Sequence, residues 1–293
     1  DLPTWHEDQQ VFEVKEADGS HLGVLYMDFF ARPSKRGGAW MNSLQKQGRL
    51  DGETSPIVTN NFNFPAPTSE GVALITFNDA LTLAHEAGHA LHGLLSDVTY
   101  ESLGGTSVPR DFVEFGSQVM ENWMGEPEVL ALYARHFRTG EPIPSALIEK
   151  LDAASKFDQG FATSEYLAAS YLDMAWHTLT EPAGAEPRAF EAEEMERIGL
   201  IEEISPRYRS PYFAHIFSGG YSAGYYAYIW AEVLDADAFQ AFKETSLFDR
   251  ETAGRFRREV LSQGGTRPGM ELYRNFRGRD PSIEPLLERR GLD

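Results

Sequence analysis

Over the first 64 residues apolar and polar positions alternate as on strands, and beyond them they recur with the 3.6-residue period of helices. Residues 9–31 hold two strand-like runs, Val11-Phe12-Glu13-Val14 and Leu22-Gly23-Val24-Leu25-Tyr26-Met27-Asp28-Phe29-Phe30, separated by Ala17-Asp18-Gly19-Ser20. Asp-Gly between such runs predicts a hairpin, because glycine accepts the positive φ of a tight turn. The basic, glycine-bearing stretch 32–38 lacks the spacing of a phosphate-binding loop and reads as a turn. A third strand is expected near Ile57–Phe64, ended by Pro65 and Pro67, which makes a small sheet of three or more strands. Helices are predicted near 111–124, 127–138, 144–156, 160–180, 187–198, 222–244, 250–262 and 268–276. Gly and Pro fall mostly between them, as at Gly140-Glu141-Pro142 and Pro182-Ala183-Gly184. No repeat, low-complexity tract or dividing linker interrupts the chain. The expectation is therefore one domain over residues 1–293, mainly α with a small β-sheet. Acid-rich 191–196 reads as a solvated helix face.

One helical run carries chemistry. Leu81, Leu83, Ala84, Ala87, Ala90, Leu91, Leu94 and Leu95 surround His85-Glu86-Ala87-Gly88-His89, a His-Glu-x-x-His pattern. Asn78 is the expected N-cap, and Gly93 or the region after Leu95 the expected end. Residues four apart share one helix face, so His85 and His89 can aim two imidazoles at a single ion, and Glu86 can reach a water there. Buried histidines and a buried glutamate need partners, and a catalytic Zn²⁺, one per chain, supplies them if a third ligand arrives from elsewhere. His92 is not that ligand. It lies about 10 Å further along the axis than His85, too far for ligands about 2 Å from one metal, so it is expected to pack or to support.

The third ligand is sought in Arg110-Asp111-Phe112-Val113-Glu114-Phe115-Gly116-Ser117-Gln118-Val119-Met120-Glu121. Glu114, Gln118 and Glu121 form a polar stripe at i, i+4 and i+7 on an otherwise apolar helix. Glu114, on a helix returning antiparallel, would complete a two-His, one-Glu site with an open position, and Gln118 and Glu121 would orient a zinc histidine. A second polar cluster follows, in which Gly219, Gly220 and Gly224 lie among His215, Tyr221, Tyr225, Tyr226 and Tyr228. Glycines beside hydroxyl-bearing rings suggest a mobile loop entering a helix. The tyrosine hydroxyls and His215 can donate to an oxyanion formed in peptide hydrolysis. Tyr225 and Tyr228, three apart, would share a face if 222–244 is helical.

Composition narrows the classes. There are 45 acidic against 26 basic residues, a formal net charge of −19, which argues against nucleic acid or an anionic membrane as partner. The sequence contains no cysteine, so disulfides and cysteine-based zinc sites are excluded, and no apolar run reaches the ~20 residues of a membrane span. A cytoplasmic location is expected, with the periplasm as the alternative. The chain opens Asp1-Leu2-Pro3 with neither an initiator Met nor a signal-peptide pattern, so a fragment or processed chain is expected.

The stretches Leu83–His92, Pro109–Phe115, Tyr133–Phe137, Tyr208–Phe217 and His215–Tyr228 together resemble the thimet-oligopeptidase family of zinc metallopeptidases, and within it the bacterial peptidyl-dipeptidases. The resemblance implies a zincin-like, mostly helical fold with a small sheet and a cleft over the zinc. It implies His85, His89 and Glu114 as zinc ligands and Glu86 as general base. It implies roles for His215, Tyr221, Tyr225 and Tyr228 in substrate binding and transition-state stabilisation, Tyr225 and Tyr228 most directly, with Gly219 and Gly220 on the substrate-binding side. Family members usually carry Phe at Ala87 and Pro at Gly116, so altered packing near the metal is expected. They are also about twice as long, so the N-terminal half that walls the cleft is expected either on another chain, as a partner, or lost, or dispensable to a protein that works with an open site. The expected activity is release of dipeptides from the free C-termini of short peptides. Endo-oligopeptidase action and an inactive zinc-stabilised binding module are the alternatives. A strand near 58–64 is expected to pair with the substrate backbone.

Overall fold

The computed structural model describes residues 2–181, 184 and 186–292; Pro182 and Ala183 of the expected break lie outside them. Four strands, Gln10–Lys15 (β1), His21–Phe30 (β2), Trp40–Gln45 (β3) and Ile57–Phe64 (β4), precede the helices. These begin with Phe77–Leu94 (α1), Arg110–Glu121 (α2), Pro127–Tyr133 (α3), Ser145–Ser155 (α4), Gln159–His177 (α5) and Pro187–Arg197 (α6). Ala214–Phe217 (α7), Ala227–Lys243 (α8), Arg250–Phe256 (α9), Gly269–Arg277 (α10) and Glu284–Arg290 (α11) complete them. Contacts gather into two compact units, Asp1–Ile143 with Leu234–Ser282, and Pro144–Val233 with Ile283–Asp293. Among the described residues no helix is long and apolar enough to cross a membrane.

In the first unit the sheet has the order β1-β2-β4-β3. The hairpin forms as expected, with Gly19 at φ 88° in the turn between antiparallel β1 and β2. β2 pairs parallel with β4, and β4 antiparallel with β3. Sequence periodicity did not reveal β3. Its apolar residues Trp40, Met41 and Leu44 do not alternate and most of it is half-exposed or exposed, so backbone pairing to β4 defines it. This placement also corrects the expectation for 58–64. β4 is paired on both sides and has no free edge for a substrate strand, whereas β3 ends the sheet.

One face of β4 rests on α1: Val58 packs with Ala90 and Leu94, and Phe62 with Met27, Phe64 and Leu83. α1 starts earlier than its apolar run. Thr76, not Asn78, is the N-cap, because its hydroxyl accepts from Asp79 N while the Asp79 carboxylate accepts from Thr76 N, a reciprocal capping box. Gly93 does not end the helix; a Cβ there would stand 2.6 Å from Met41 Cε and 2.9 Å from Val58 Cγ1, so glycine lets the sheet approach. α3 stops at Tyr133, short of the expected 138, because Arg135 pairs with Pro142 in a bridge closed by the Gly140 turn (φ 72°). Beneath α2, Phe115 is fully buried against Phe256 and Tyr273.

The second unit carries α4 to α7, the start of α8, and α11. Glu191 departs from the solvated face expected for 191–196. It is buried, pairs with Arg209 and accepts from Ser210 N at 2.8 Å, because two donors from the following loop neutralise it. α8 begins at Ala227 rather than 222. The preceding residues turn, with Ala223 at φ 51°, and Asp173 accepts from Ala223 N at 2.9 Å and Tyr225 N at 2.8 Å. Tyr225 therefore lies outside the helix that carries Tyr228, and the shared helical face expected for the pair does not exist.

Candidate metal centre

α1 and α2 run antiparallel and very close. His85 meets Glu121, Gly88 meets Ser117, and His89 meets Glu114. A Cβ on Gly88 would lie 2.6 Å from Ser117 Cα and 2.8 Å from Gly116 O, so the crossing requires glycine. That proximity brings the Glu114 carboxylate over both imidazoles. Its Oε2 is 3.2 Å from His85 Nε2 and 3.2 Å from His89 Nε2, and the two rings stand edge to face with centroids 4.8 Å apart. The three donor atoms lie within 4.8 Å of one another. Ligands about 2.0–2.1 Å from a tetrahedral zinc are about 3.3–3.4 Å apart, so this donor set fits the ion.

The electrostatics agree with that fit. Burial pulls His85 down, but hydrogen bonds with Glu114 and Glu121 outweigh it and push the imidazole up to about 10. Burial likewise works against ionisation of Glu114, yet the same histidines hold its carboxyl well below the usual carboxylate range. A buried carboxylate facing two imidazoles is a place that calls for positive charge. Glu121 Oε1 is 2.6 Å from His85 Nδ1, which leaves Nε2 facing Glu114. Gln118 is buried one turn before Glu121 on the same helix.

Glu86 is 4% exposed, and its Oε2 has no hydrogen-bond partner among the described residues. Burial raises its pKa, the direction that suits a carboxylate receiving a proton near neutrality. His92 stays outside the converging group. Both its ring nitrogens are buried without partners among the described residues, and burial pushes it down to about 3, so it is a neutral packing group. A Cβ on Gly116 would meet Leu261 Cδ2 at 3.2 Å and His92 Nδ1 at 4.0 Å. Gly116 therefore leaves little free space at that point.

The aromatic cluster belongs to the second unit. Tyr225 is buried with Phe213, Ile216 and Ala169, and Tyr221 and Tyr228 pack against this core. The His215 ring is 5.5 Å from Tyr225, 6.0 Å from Tyr221 and 6.3 Å from Tyr228, and Tyr221 stacks on Tyr228 at 5.2 Å. Burial pushes the Tyr225 phenol up, so it stays a donor. Gly219 is needed beside α7, since a Cβ there would stand 2.9 Å from His215 Cα, and Gly220 turns the chain at φ 80°. Sequence reasoning passed over Tyr166 and Asp173, which contact this segment from α5. An aspartate inside the apolar run Leu172–Ala175 was the available signal.

The profile of peptidase family M3 matches residues 1–292. The chain is 45% identical over 299 residues to the dipeptidyl carboxypeptidase of Escherichia coli, covering 100% of this chain and 43% of that protein. It is 40% identical over 298 residues to oligopeptidase A of Escherichia coli, covering 100% and 44%. The solved structure of PZ peptidase A with an inhibitor aligns at TM-score 0.56 and 19% identity over 90% of this chain and 43% of that one, a likeness of fold. The chain spans less than half the length of these curated relatives.

Proposed function

Because the chain belongs to peptidase family M3, we propose that it hydrolyses short peptides with one Zn²⁺ held by His85, His89 and Glu114. The observation carrying this reading is the placement of Glu114 Oε2 at 3.2 Å from both Nε2 atoms. Zinc held by these ligands would polarise a peptide carbonyl and acidify a water. Glu86 accepts a proton from the attacking water and returns it to the leaving amine. Glu121 orients His85 by its bond to Nδ1, and Gln118 supports the same helix face. Tyr228, with Tyr225 or His215, donates to the oxyanion, while Tyr221, Gly219 and Gly220 serve substrate binding. These roles rest on the resemblance of residues 215–228 and on their clustering around His215.

Within this reading the products are dipeptides cut from free C-termini, supported by the 45% identity to a dipeptidyl carboxypeptidase. Endo-cleavage is the second reading, supported by the 40% identity to oligopeptidase A. Residues 1–293 act as one catalytic domain, and a segment equivalent to the rest of the relatives' length is the proposed partner that completes substrate enclosure. A cytoplasmic location, or a periplasmic one, belongs to the same proposal and rests on composition. The test is mass-spectrometric product analysis of one peptide, as free acid and as C-terminal amide, with added Zn²⁺ or a chelator. Dipeptides from the free acid alone support the first reading, and internal cuts in both support the second. No chelator-sensitive turnover of either leaves a zinc-stabilised binding module. Glu86→Gln should keep zinc and lose about 10²–10⁴ in rate, the usual cost of removing a general base.

A further inference from the structure

The backbone of Tyr225 is gripped on both sides by side chains of one helix. Asp173, fully buried on α5, accepts from Tyr225 N at 2.8 Å through Oδ2 and from Ala223 N at 2.9 Å through Oδ1. Two turns earlier on α5, the Tyr166 hydroxyl donates to the Tyr225 carbonyl and accepts from Ile229 N at 3.3 Å. Ile229 N belongs to the first turn of α8, where backbone donors lack intrahelical partners, so Tyr166 caps the helix that carries Tyr228. The Tyr166 ring also stacks on Tyr225, centroids 5.2 Å apart at 26°. His177 Nδ1, one turn beyond Asp173, is 2.8 Å from the same Oδ1 and 2.9 Å from the Asp173 backbone carbonyl.

These contacts hold a conformation the segment would not choose alone. Ala223 sits at φ 51°, a left-handed setting that a residue with a Cβ adopts only against steric resistance. A buried carboxylate receiving two backbone N–H groups is a strong charge-assisted anchor for such a turn. We propose that Asp173 and Tyr166 are positioning residues of the peptidase reaction: from α5 they clamp residues 223–229 and so set where the Tyr225 and Tyr228 hydroxyls stand. The clamp touches no substrate and works only through these tyrosines. It rests on the reading of Tyr225 and Tyr228 as donors given above, because a displacement near 1 Å of a catalytic donor can cost about 10²-fold in rate.

The test uses Asp173→Asn and Tyr166→Phe in the whole chain loaded with zinc. Asparagine keeps the size but offers one acceptor oxygen and turns an N–H₂ toward the second backbone donor; phenylalanine removes only a hydroxyl. Backbone hydrogen exchange across 221–229 should accelerate at least about tenfold in each variant, while exchange across 77–94 and zinc content stay at wild-type level. Turnover should fall at least about tenfold with KM within about twofold, the split of a group acting on transition-state donors. Adding Tyr228→Phe to Asp173→Asn should cost less than the same change costs in the wild type, since a misplaced hydroxyl has less to lose. Unchanged exchange across 221–229 overturns the clamp. Accelerated exchange with turnover within twofold of wild type overturns its role in the reaction. If Asp173→Asn does not fold, Tyr166→Phe decides by the same readouts. If the wild type itself turns over no peptide, the peptidase reading has failed instead, and exchange alone judges the clamp.

Discussion

Replacing Gly88 by alanine tests whether the α1–α2 approach makes the metal site. The added Cβ would stand 2.6 Å from Ser117 Cα and 2.8 Å from Gly116 O, and neither atom can rotate away because both are backbone. Carbon atoms come to rest at about 3.5–4.0 Å, so α2 must retreat locally by about 1 Å. Glu114 is three residues from Ser117 on that helix, and its Oε2 now sits 3.2 Å from both histidine nitrogens. Metal–ligand distances tolerate about 0.2 Å, so the shift removes Glu114 from the coordination range unless its side chain follows. Zinc affinity should fall at least about 10–100-fold, the loss typical of disturbing a group that orients a ligand. Fold stability without metal should change less: overpacking costs about 1–3 kcal/mol, and glycine to alanine in a helix recovers up to about 1 kcal/mol. Competition with a chromophoric chelator measures the first quantity and thermal unfolding of the metal-free chain the second. Gly160→Ala in α5, where a Cβ meets nothing within 4 Å, is the control. Wild-type zinc affinity in Gly88→Ala, within twofold, would refute the reasoning.

Glu114→Ala should lower zinc content in equilibrium dialysis, Glu121→Gln should lower affinity more mildly through His85, and Gln118→Ala least of all; equal content in all four proteins would remove Glu114 as a ligand. Tyr228→Phe should lower turnover by about 10²–10³ with KM nearly unchanged, while Tyr221→Phe should act chiefly on KM, both read from steady-state kinetics on a quenched peptide. Asp28 is 1% exposed and bonds Arg32 at 2.7 Å and Lys35 at 2.8 Å, which together overcome burial and hold its carboxyl below its ordinary value. That stability is present above the unfolded carboxylate pKa of about 3.9 and is lost as pH falls through the lower folded value. Asp28→Asn leaves the buried Lys35 ammonium without its counter-charge and should cost about 3–5 kcal/mol at pH 7, with the gap to wild type narrowing in urea titrations below about pH 4.

The histidine face of α1 was legible because it is local: with about 3.6 residues per turn, a spacing of four places His85 and His89 on one face whatever surrounds the helix. Glu114 was legible for a related reason, since a carboxylate inside an apolar helix must meet a compensating charge when buried. The Thr76–Asp79 capping box was equally local, and an apolar run that starts only at Leu81 masked it. Other features depended on partners remote in sequence. Trp40–Gln45 became a strand because β4 offered backbone groups to pair with, a bond that needs no side-chain pattern. Gly93 reads as a helix stop but is a contact point for Met41 and Val58 on the sheet. Tyr225 left the expected helix because Asp173, about 50 residues earlier, outcompetes the helical bonds of 223–225 with a buried carboxylate. Periodicity records which face of an element is apolar; it is silent on which distant donor or acceptor will claim the backbone there, and tertiary packing made that choice.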